Sequence, residues 1–366
     1  MLPMQKKFNV YFALFIVFLF TPYILQAKDS ETSGNLKAEI KKYISHHLED
    51  AYDFNLFSYT NKKGKHIYVG IPLPIILWDN GLQIFSSSKL HHGEKVAQVA
   101  ENYYKLEHGK IYKTDSSGII KYDSEYHVTN KSPLDISITK GVASMFLIAA
   151  LMFFLFSSFA KSYAGTGGLP AGVGRFLEPI ILYIRDDIAR PNIGEKKYGK
   201  YMNFLLTVFF FIWFLNLLGL TPLGVNVTGN IAVTFGLALL TFVITNFTGT
   251  KDYWLHIFDP LGSSMKWYAK IPLYIILIPI EVLGIFIKPF SLLIRLYANM
   301  QAGHIVLMSL IGLMFIFKSW LGSPLSFGLA FAISIIELLV ALLQAYIFTM
   351  LSALYFGFAA EERQHH

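Results

Sequence analysis

Residues Ile271 to Phe317 read IPLYIILIPIEVLGIFIKPFSLLIRLYANMQAGHIVLMSLIGLMFIF, a stretch of 47 residues that is mostly apolar. It nevertheless contains Pro272, Pro279 and Pro289, and carries Glu281, Lys288, Arg295 and His304. As one straight helix it would be roughly 70 Å long at 1.5 Å per residue, more than twice a bilayer core, so it must tilt, kink or break. A short connection at 318–326 leads to a second apolar segment, Phe327 to Phe358, with a single charge, Glu337. The two segments predict a hairpin of long membrane helices. A charge at bilayer depth costs at least about 2.5 to 3.5 kcal/mol and persists mainly where it lines an aqueous path or meets a partner.

Three simpler spans lie upstream. Val142 to Ala160 is uncharged for 19 residues, Tyr201 to Leu220 for 20 and Val227 to Thr250 for 24, each about the length a helix needs to cross. The composition agrees: 54% hydrophobic, 16% aromatic and only 15% charged residues is far from a soluble enzyme, where roughly 25% are charged. The net charge of +7 does not point to nucleic acid, because its location is specific. Residues 28–138 carry 14 basic and 14 acidic side chains, whereas 161–200 carry seven basic against four acidic and lie between apolar runs. By the positive-inside rule that loop faces the cytoplasm, as do Lys251, Lys266 and Lys270. The expected architecture is an all-α polytopic membrane domain over 139–360 with about five transmembrane helices, the last two a long tilted hairpin, and a cytoplasmic tail at 361–366.

Lys6 and Lys7 precede an apolar run from Phe8 to Leu25, with Ala27 before Lys28. This is the layout of a signal peptide over 1–27, the alternative being a retained anchor. Either way 28–138 is expected outside the cytoplasm as a small α+β insert. Leu36, Ile40, Tyr43, Ile44, Leu48 and Tyr52 have helical spacing; a hairpin is expected from His66–Ile76 to Leu82–Phe85 across Asp79-Asn80-Gly81, and another from Ile111 to Val128 around Asp115–Gly118. The pairs His46-His47 and His91-His92 lack a fixed partner spacing, so no metal site is assigned. With no cysteine, disulfides, thiolate zinc sites and cysteine nucleophiles are excluded.

The chemistry concentrates in the hairpin. Glu281, Lys288 and Arg295 recur at intervals of seven and share one stripe in helical conformation, with Asn299 one turn beyond Arg295; Glu337 and Gln344 share a face of the second helix. Lys288 reads equally as a snorkelling residue, Glu281 as its structural partner, and His304 with Glu337 as a titratable pair suited to a proton or ion relay. Residue chemistry alone thus gives a membrane protein that moves protons or small cations past a fixed positive charge.

The segment Lys288-Pro289-Phe290-Ser291-Leu292-Leu293-Ile294-Arg295-Leu296-Tyr297-Ala298-Asn299-Met300-Gln301-Ala302-Gly303-His304 closely resembles the signature helix of subunit a of F-type ATP synthases. Phe214 to Pro222, Asn226 to Asn230, and Glu337 to Phe348 resemble further blocks of that family in the same order, so the resemblance covers about 140–360. It implies a non-catalytic subunit of the membrane sector, in a bacterial inner membrane, that needs no cofactor and works with a c-ring and the b subunits of the peripheral stalk. Carried over by position, Arg295 is the arginine that faces the c-ring and prevents a short circuit between two half-channels. Gln344 matches the glutamine opposite it, and Asn299 a polar residue one turn away. Glu281, His304 and Glu337 match positions associated with the outer half-channel, with Lys288 in support. This sequence has Ala298 where many relatives have glycine. An acid and an imidazole also stand exchanged between His304 and Glu337, which makes the pair the functional unit. The resemblance does not extend to the insert.

A proton-coupled secondary transporter is the alternative reading, but it predicts internal repeats with paired broken helices, and none is evident. A ligand sensor built on the insert would leave the hairpin charges unexplained.

Overall fold

The computed structural model describes residues 50–60, 66–93, 95–165, 172, 174–221, 225–260, 267–316 and 322–361. These belong to one unit that begins at Tyr43. The expected signal segment, the helical pattern from Leu36 to Leu48, the pair His46-His47 and residues 362–366 lie outside the described residues.

The chain first builds a β domain. β1 (Asp53–Thr60) pairs with β2 (His66–Pro72), β3 (Pro74–Trp78) lies between β4 (Leu82–Ser86) and β8 (Leu134–Asp135), and β6 (Asn102–Glu107) lies between β5 (Ala97–Val99) and β7 (Lys110–Thr114), all antiparallel. The turn at Asn80-Gly81 joins β3 to β4, with both residues at positive φ. The expected strand His66–Ile76, however, is two strands with different partners. Pro72 and Pro74 flank the break, and a proline has no N–H to give to a ladder. The second expected hairpin also differs. β7 pairs with β6 across His108 (φ 46°) and Gly109 (φ 72°), the left-handed pair that a tight hairpin demands. Asp115–Gly118 is a separate Asx turn, with the Asp115 carboxylate accepting from the Ser117 N–H at 3.0 Å.

Period-two alternation places Ile75, Leu77 and Phe85 in a core with Leu90, Tyr104 and Ile111. Asp79 is buried at its edge and is paired with Lys113 Nζ at 2.7 Å, while the Tyr104 hydroxyl donates to it at 3.2 Å. The Lys113 hydrogen bond and charge hold the Asp79 carboxyl below its ordinary range, and burial, reinforced by the Asp79 charge, pushes the Tyr104 hydroxyl up to about 12.

The membrane domain follows: α1 (Lys140–Gly165), α2 (Gly174–Tyr183), α3 (Arg190–Ile193), α4 (Tyr198–Gly219), α5 (Ile231–Phe247), α6 (Lys251–Phe258), α7 (Trp267–Ile316) and α8 (Gly322–Ala360). A π-helical turn, Ile184–Ala189, joins α2 to α3. The result is a mostly helical polytopic membrane protein with a strand-containing N-terminal segment. Among the described residues four helices are long and apolar enough to cross, and the pair α5 and α6, bent by 99°, makes a fifth when counted as one span. Within α5 to α6 the helix ends at Phe247, earlier than the apolar run, and restarts at a Thr250 cap whose hydroxyl accepts from the Tyr253 N–H at 3.3 Å. The three prolines of α7 do not end it: it runs for 50 residues, about 75 Å.

α4 is the hub. Its buried face, including Tyr201, Leu205, Phe209, Ile212 and Leu215, packs on α8 and on the helix α2–α3, which buries Leu177, Ile184, Ile188 and Ile193. The sequence of Phe176 to Ile188 predicts an amphipathic helix at the cytoplasmic membrane surface; in the structure this segment is also a packing element. Tyr201 stacks on Phe356 at 4.7 Å. The last carbonyls of α8 are satisfied from elsewhere in the chain. Lys197 Nζ donates to the Ala360 carbonyl at 2.7 Å and the Thr250 N–H to that of Ala359 at 2.9 Å. At Gly357 the two backbones meet so closely that a Cβ would collide with the Asn192 carbonyl.

Two outcomes follow from this packing. Gly357→Ala forces α8 away from Asn192 and strongly lowers the amount of subunit recovered in the membrane, as read by immunoblot; normal recovery would refute the close contact. Asp79→Asn lowers the protection of β3 and β6 amides at neutral pH by about 2 kcal/mol, the scale of a hydrogen bond to a charged group. Because the folded pKa is depressed, the Asp79 contribution is full above the unfolded carboxyl value of about 4 and is lost as pH falls through the folded value. Hydrogen exchange measured across that window should therefore show an acid-sensitive component in the natural protein that Asp79→Asn lacks.

Candidate functional site

Asn299, His304, Glu337 and Gln344 lie where α7, α8 and α4 meet. At the centre, the Asn299 amide donates to Gln344 Oε1 at 2.8 Å, joining α7 to α8. Gln344 is buried, and Arg295, one turn before Asn299, is half-buried between Leu292 and Leu296. Gln344 therefore reaches Asn299 rather than Arg295. Among the described residues the Arg295 guanidinium makes no hydrogen bond or ion pair.

Beyond Asn299, toward the end of the domain that carries the β domain, Glu337 of α8 meets α7 at Gly303, the residue before His304. The Glu337 carboxylate lies over Gly303, where any Cβ would overlap it. The His304 ring turns instead to Gly219 at the end of α4, where a Cβ would lie 3.2 Å from Nε2. Both side chains are buried, and His304 Nε2 has no hydrogen-bond partner. The expected pair is thus neighbouring but is not joined by a hydrogen bond. Two glycines, one on α7 and one on α4, make room for the two titratable groups.

Two further polar links surround this cluster, and the sequence reading did not single them out. Thr228 donates to Asn216 Oδ1 at 2.7 Å, and Asn216 donates to the Ala341 carbonyl at 3.4 Å, midway between Glu337 and Gln344 on α8. Asn226 donates to Gln301 Oε1 at 2.9 Å. Asn216 and Asn226 stand inside the blocks Phe214–Pro222 and Asn226–Asn230; an amide in an apolar helix and another in the adjoining loop were the available signals.

Glu281 lies elsewhere. The resemblance groups it with His304 and Glu337, but the structure places it before Arg295, at the other end of the seam. There Glu281 and Lys288 line a cavity of about 540 Å³ with Asp252, His256 and Glu361. The reason is geometric: Glu281 precedes Arg295 by 14 residues and His304 follows it by nine, so at 1.5 Å per residue they stand about 35 Å apart along α7. Lys288 lies over the rings of Phe358 at 5.3 Å and Tyr355 at 5.8 Å, and no ion pair closes between it and Glu281. The stripe of three charges is therefore not a chain of ion pairs. Its members are separated along α7, with carboxylate and lysine in one polar cavity and Arg295 two turns further on. Among the described residues no three potential metal ligands converge.

This arrangement sets a fixed cation between two separate groups of titratable side chains, one on each side of Arg295 along α7. Such a layout can pass protons along either group while electrostatically discouraging their direct passage from one to the other.

Comparison with known proteins agrees in extent with this domain. The family model described as ATP synthase A chain matches residues 142–357, and a second, described as a domain of unknown function, matches 43–136. The chain is similar to ATP synthase subunit a 2 of Chlorobaculum tepidum, with 45% identity over 240 residues covering 63% of this chain and 66% of that protein. It is similar to ATP synthase subunit a of Myxococcus xanthus at 44% over 242 residues, covering 64% and 76%. With ATP synthase subunit a 2 of Prosthecochloris aestuarii it shares 38% identity over 308 residues, 80% of this chain and 92% of the relative. An alignment of that length runs beyond the membrane domain into the β domain. The chain belongs to the ATP synthase A chain family, the bacterial membrane-sector subunit a of F-type ATP synthases.

Proposed function

We propose that this chain conducts protons through two offset half-channels to and from the carboxylates of a rotating c-ring, and so couples proton flow to ATP synthesis in the soluble head. The observation that supports the reading is Arg295, a half-buried guanidinium that has no ion-pair partner among the described residues. Guanidinium keeps its proton at any physiological pH, and an unpaired cation at membrane depth is costly, so its partner comes from outside the chain. A passing ring carboxylate meets that need. Beside Arg295 its charged form is favoured, so it releases its proton there, and protons cannot hop directly between the half-channels.

His304 and Glu337 are assigned to the outer half-channel, with Asn216 and Gln301 as polar neighbours. Glu281 is assigned to the inner half-channel together with Asp252 and His256, supported by their shared cavity, and Lys288 is a supporting cation at its wall. Asn299 and Gln344 hold the two long helices in register beside Arg295. In this reading 1–27 is a signal peptide, 28–138 is extracytoplasmic, and 361–366 is a cytoplasmic tail in the inner membrane of a bacterium. The b subunits anchor the domain against the torque of the ring.

Arg295→Ala abolishes ATP-driven proton pumping in inverted vesicles while the complex still assembles, and passive proton leak rises. Pumping at the natural rate would make Arg295 structural and favour a transporter mechanism instead. Glu337→Gln keeps the shape but removes the exchangeable charge, and lowers pumping by about a hundredfold, the lower end for a lost acid–base group. An unchanged rate would remove Glu337 from the path.

A further inference from the structure

The β domain has no role in the half-channel reading, yet its stem is built into the membrane domain. Residues 50–52, at its start among the described residues, and 135–141, where the chain leaves it, are stapled side by side. The Tyr52 hydroxyl donates to Asp135 Oδ2 at 2.5 Å and the Lys140 N–H to the Ala51 carbonyl at 2.8 Å. Asp50 is the centre of the joint. Its carboxylate accepts from the Gly141 N–H and the Thr139 hydroxyl, both at 2.8 Å, and from the Asn230 amide at 3.4 Å. Asn230 in turn caps α5 by accepting from the Ala232 N–H at 3.0 Å. One carboxylate of the β domain thus holds the N-termini of two spans.

Behind that joint lies a cavity of about 250 Å³ lined by Asp50, Lys140, Asn226, Asn230, Val233 and Tyr297. At roughly 30 Å³ per molecule it has room for about eight waters, and its polar walls give them partners. It extends from the β domain to Tyr297, two residues past Arg295 on α7, and Asn226 on its wall is bonded to Gln301. Lys140, buried on the same wall, stands in the field of both Asp50 and Asp53. Asp50 and Lys140 are the two charged side chains that line the cavity among the described residues. A purely structural cap would account for the bonds of Asp50 but not for a polar cavity running from it into the membrane seam.

We propose that the β domain builds the entrance of the outer half-channel: hydrated protons enter through this cavity, and Asp50 is the entrance carboxylate. The proposal rests on the half-channel reading above.

The natural chain has no cysteine, so single thiols can be placed in it. Val233→Cys and Asp50→Cys are made in the whole ATP synthase. Right-side-out vesicles are treated with membrane-impermeant thiosulfonates, cationic or anionic, then inverted for ATP-driven pumping, with the natural complex as control. The expected result is that the cationic reagent reaches Val233→Cys from outside and lowers pumping several-fold. At Asp50→Cys the anionic adduct, which restores the charge, supports several-fold faster pumping than the cationic one. A thiol at position 233 that does not react from outside, or reacts without effect, overturns the entrance assignment, as do equal rates with the two adducts at position 50. If Asp50→Cys fails to assemble, Val233→Cys decides alone. Null results here combined with loss of pumping in Arg295→Ala discard only the entrance, whereas pumping that survives Arg295→Ala discards the half-channels themselves.

Discussion

The close approach of α7 to α8 is the constraint on which the membrane domain depends. Lipid offers no water to a stray amide or carboxylate, so the polar side chains of a long apolar hairpin must find one another or an aqueous cavity. Gly303 lets the Glu337 carboxylate lie against the α7 backbone, and the Asn299 to Gln344 hydrogen bond fixes the register two turns from it. In a membrane such a bond contributes only about 0.6 kcal/mol on average. Its larger effect is specificity, because a shift of either helix by one turn would leave several polar groups unpaired.

α4 completes that constraint from the third side. Asn216 ties the loop residue Thr228 to the α8 backbone, and Gly219 opens the space that His304 fills. The helix therefore does two things with one buried face: its aromatic residues pack the core, and two small or polar positions shape the site. The exposed apolar side chains of α7 and α8, such as Ile276, Phe290 and Leu339, are what a domain embedded in lipid and neighbouring subunits requires.

The β domain and the membrane domain are joined by the same economy. Asp50 satisfies N–H and hydroxyl donors at the start of α1 and the Asn230 amide at the start of α5, groups that helix termini always leave in want of partners. A carboxylate is well suited to that position because the N-terminal ends of helices carry partial positive charge. The β domain is thereby oriented over the ends of the spans, and its contact with the membrane domain joins these polar bonds to an apolar one, Phe54 packed against the membrane-domain core.

The apolar lengths, the loop charges and the polar residues of the hairpin were legible in the sequence, because span length and the cost of buried charge are local properties read residue by residue. The motif from Lys288 to His304 gave the family before any coordinate. Strand partners in the β domain were less legible, since Pro72, Pro74 and the turn at His108-Gly109 act through backbone geometry that alternation does not reveal. Tertiary structure alone decided that Glu281 shares a cavity with Asp252 and His256, far from His304 and Glu337. It also decided that Gln344 bonds Asn299, and that Asp50 reaches Gly141 across 91 positions. Helical periodicity places residues on a face, but the depth at which each lies and the neighbour it meets depend on how helices distant in sequence pack, and that is set by the packing of the whole domain.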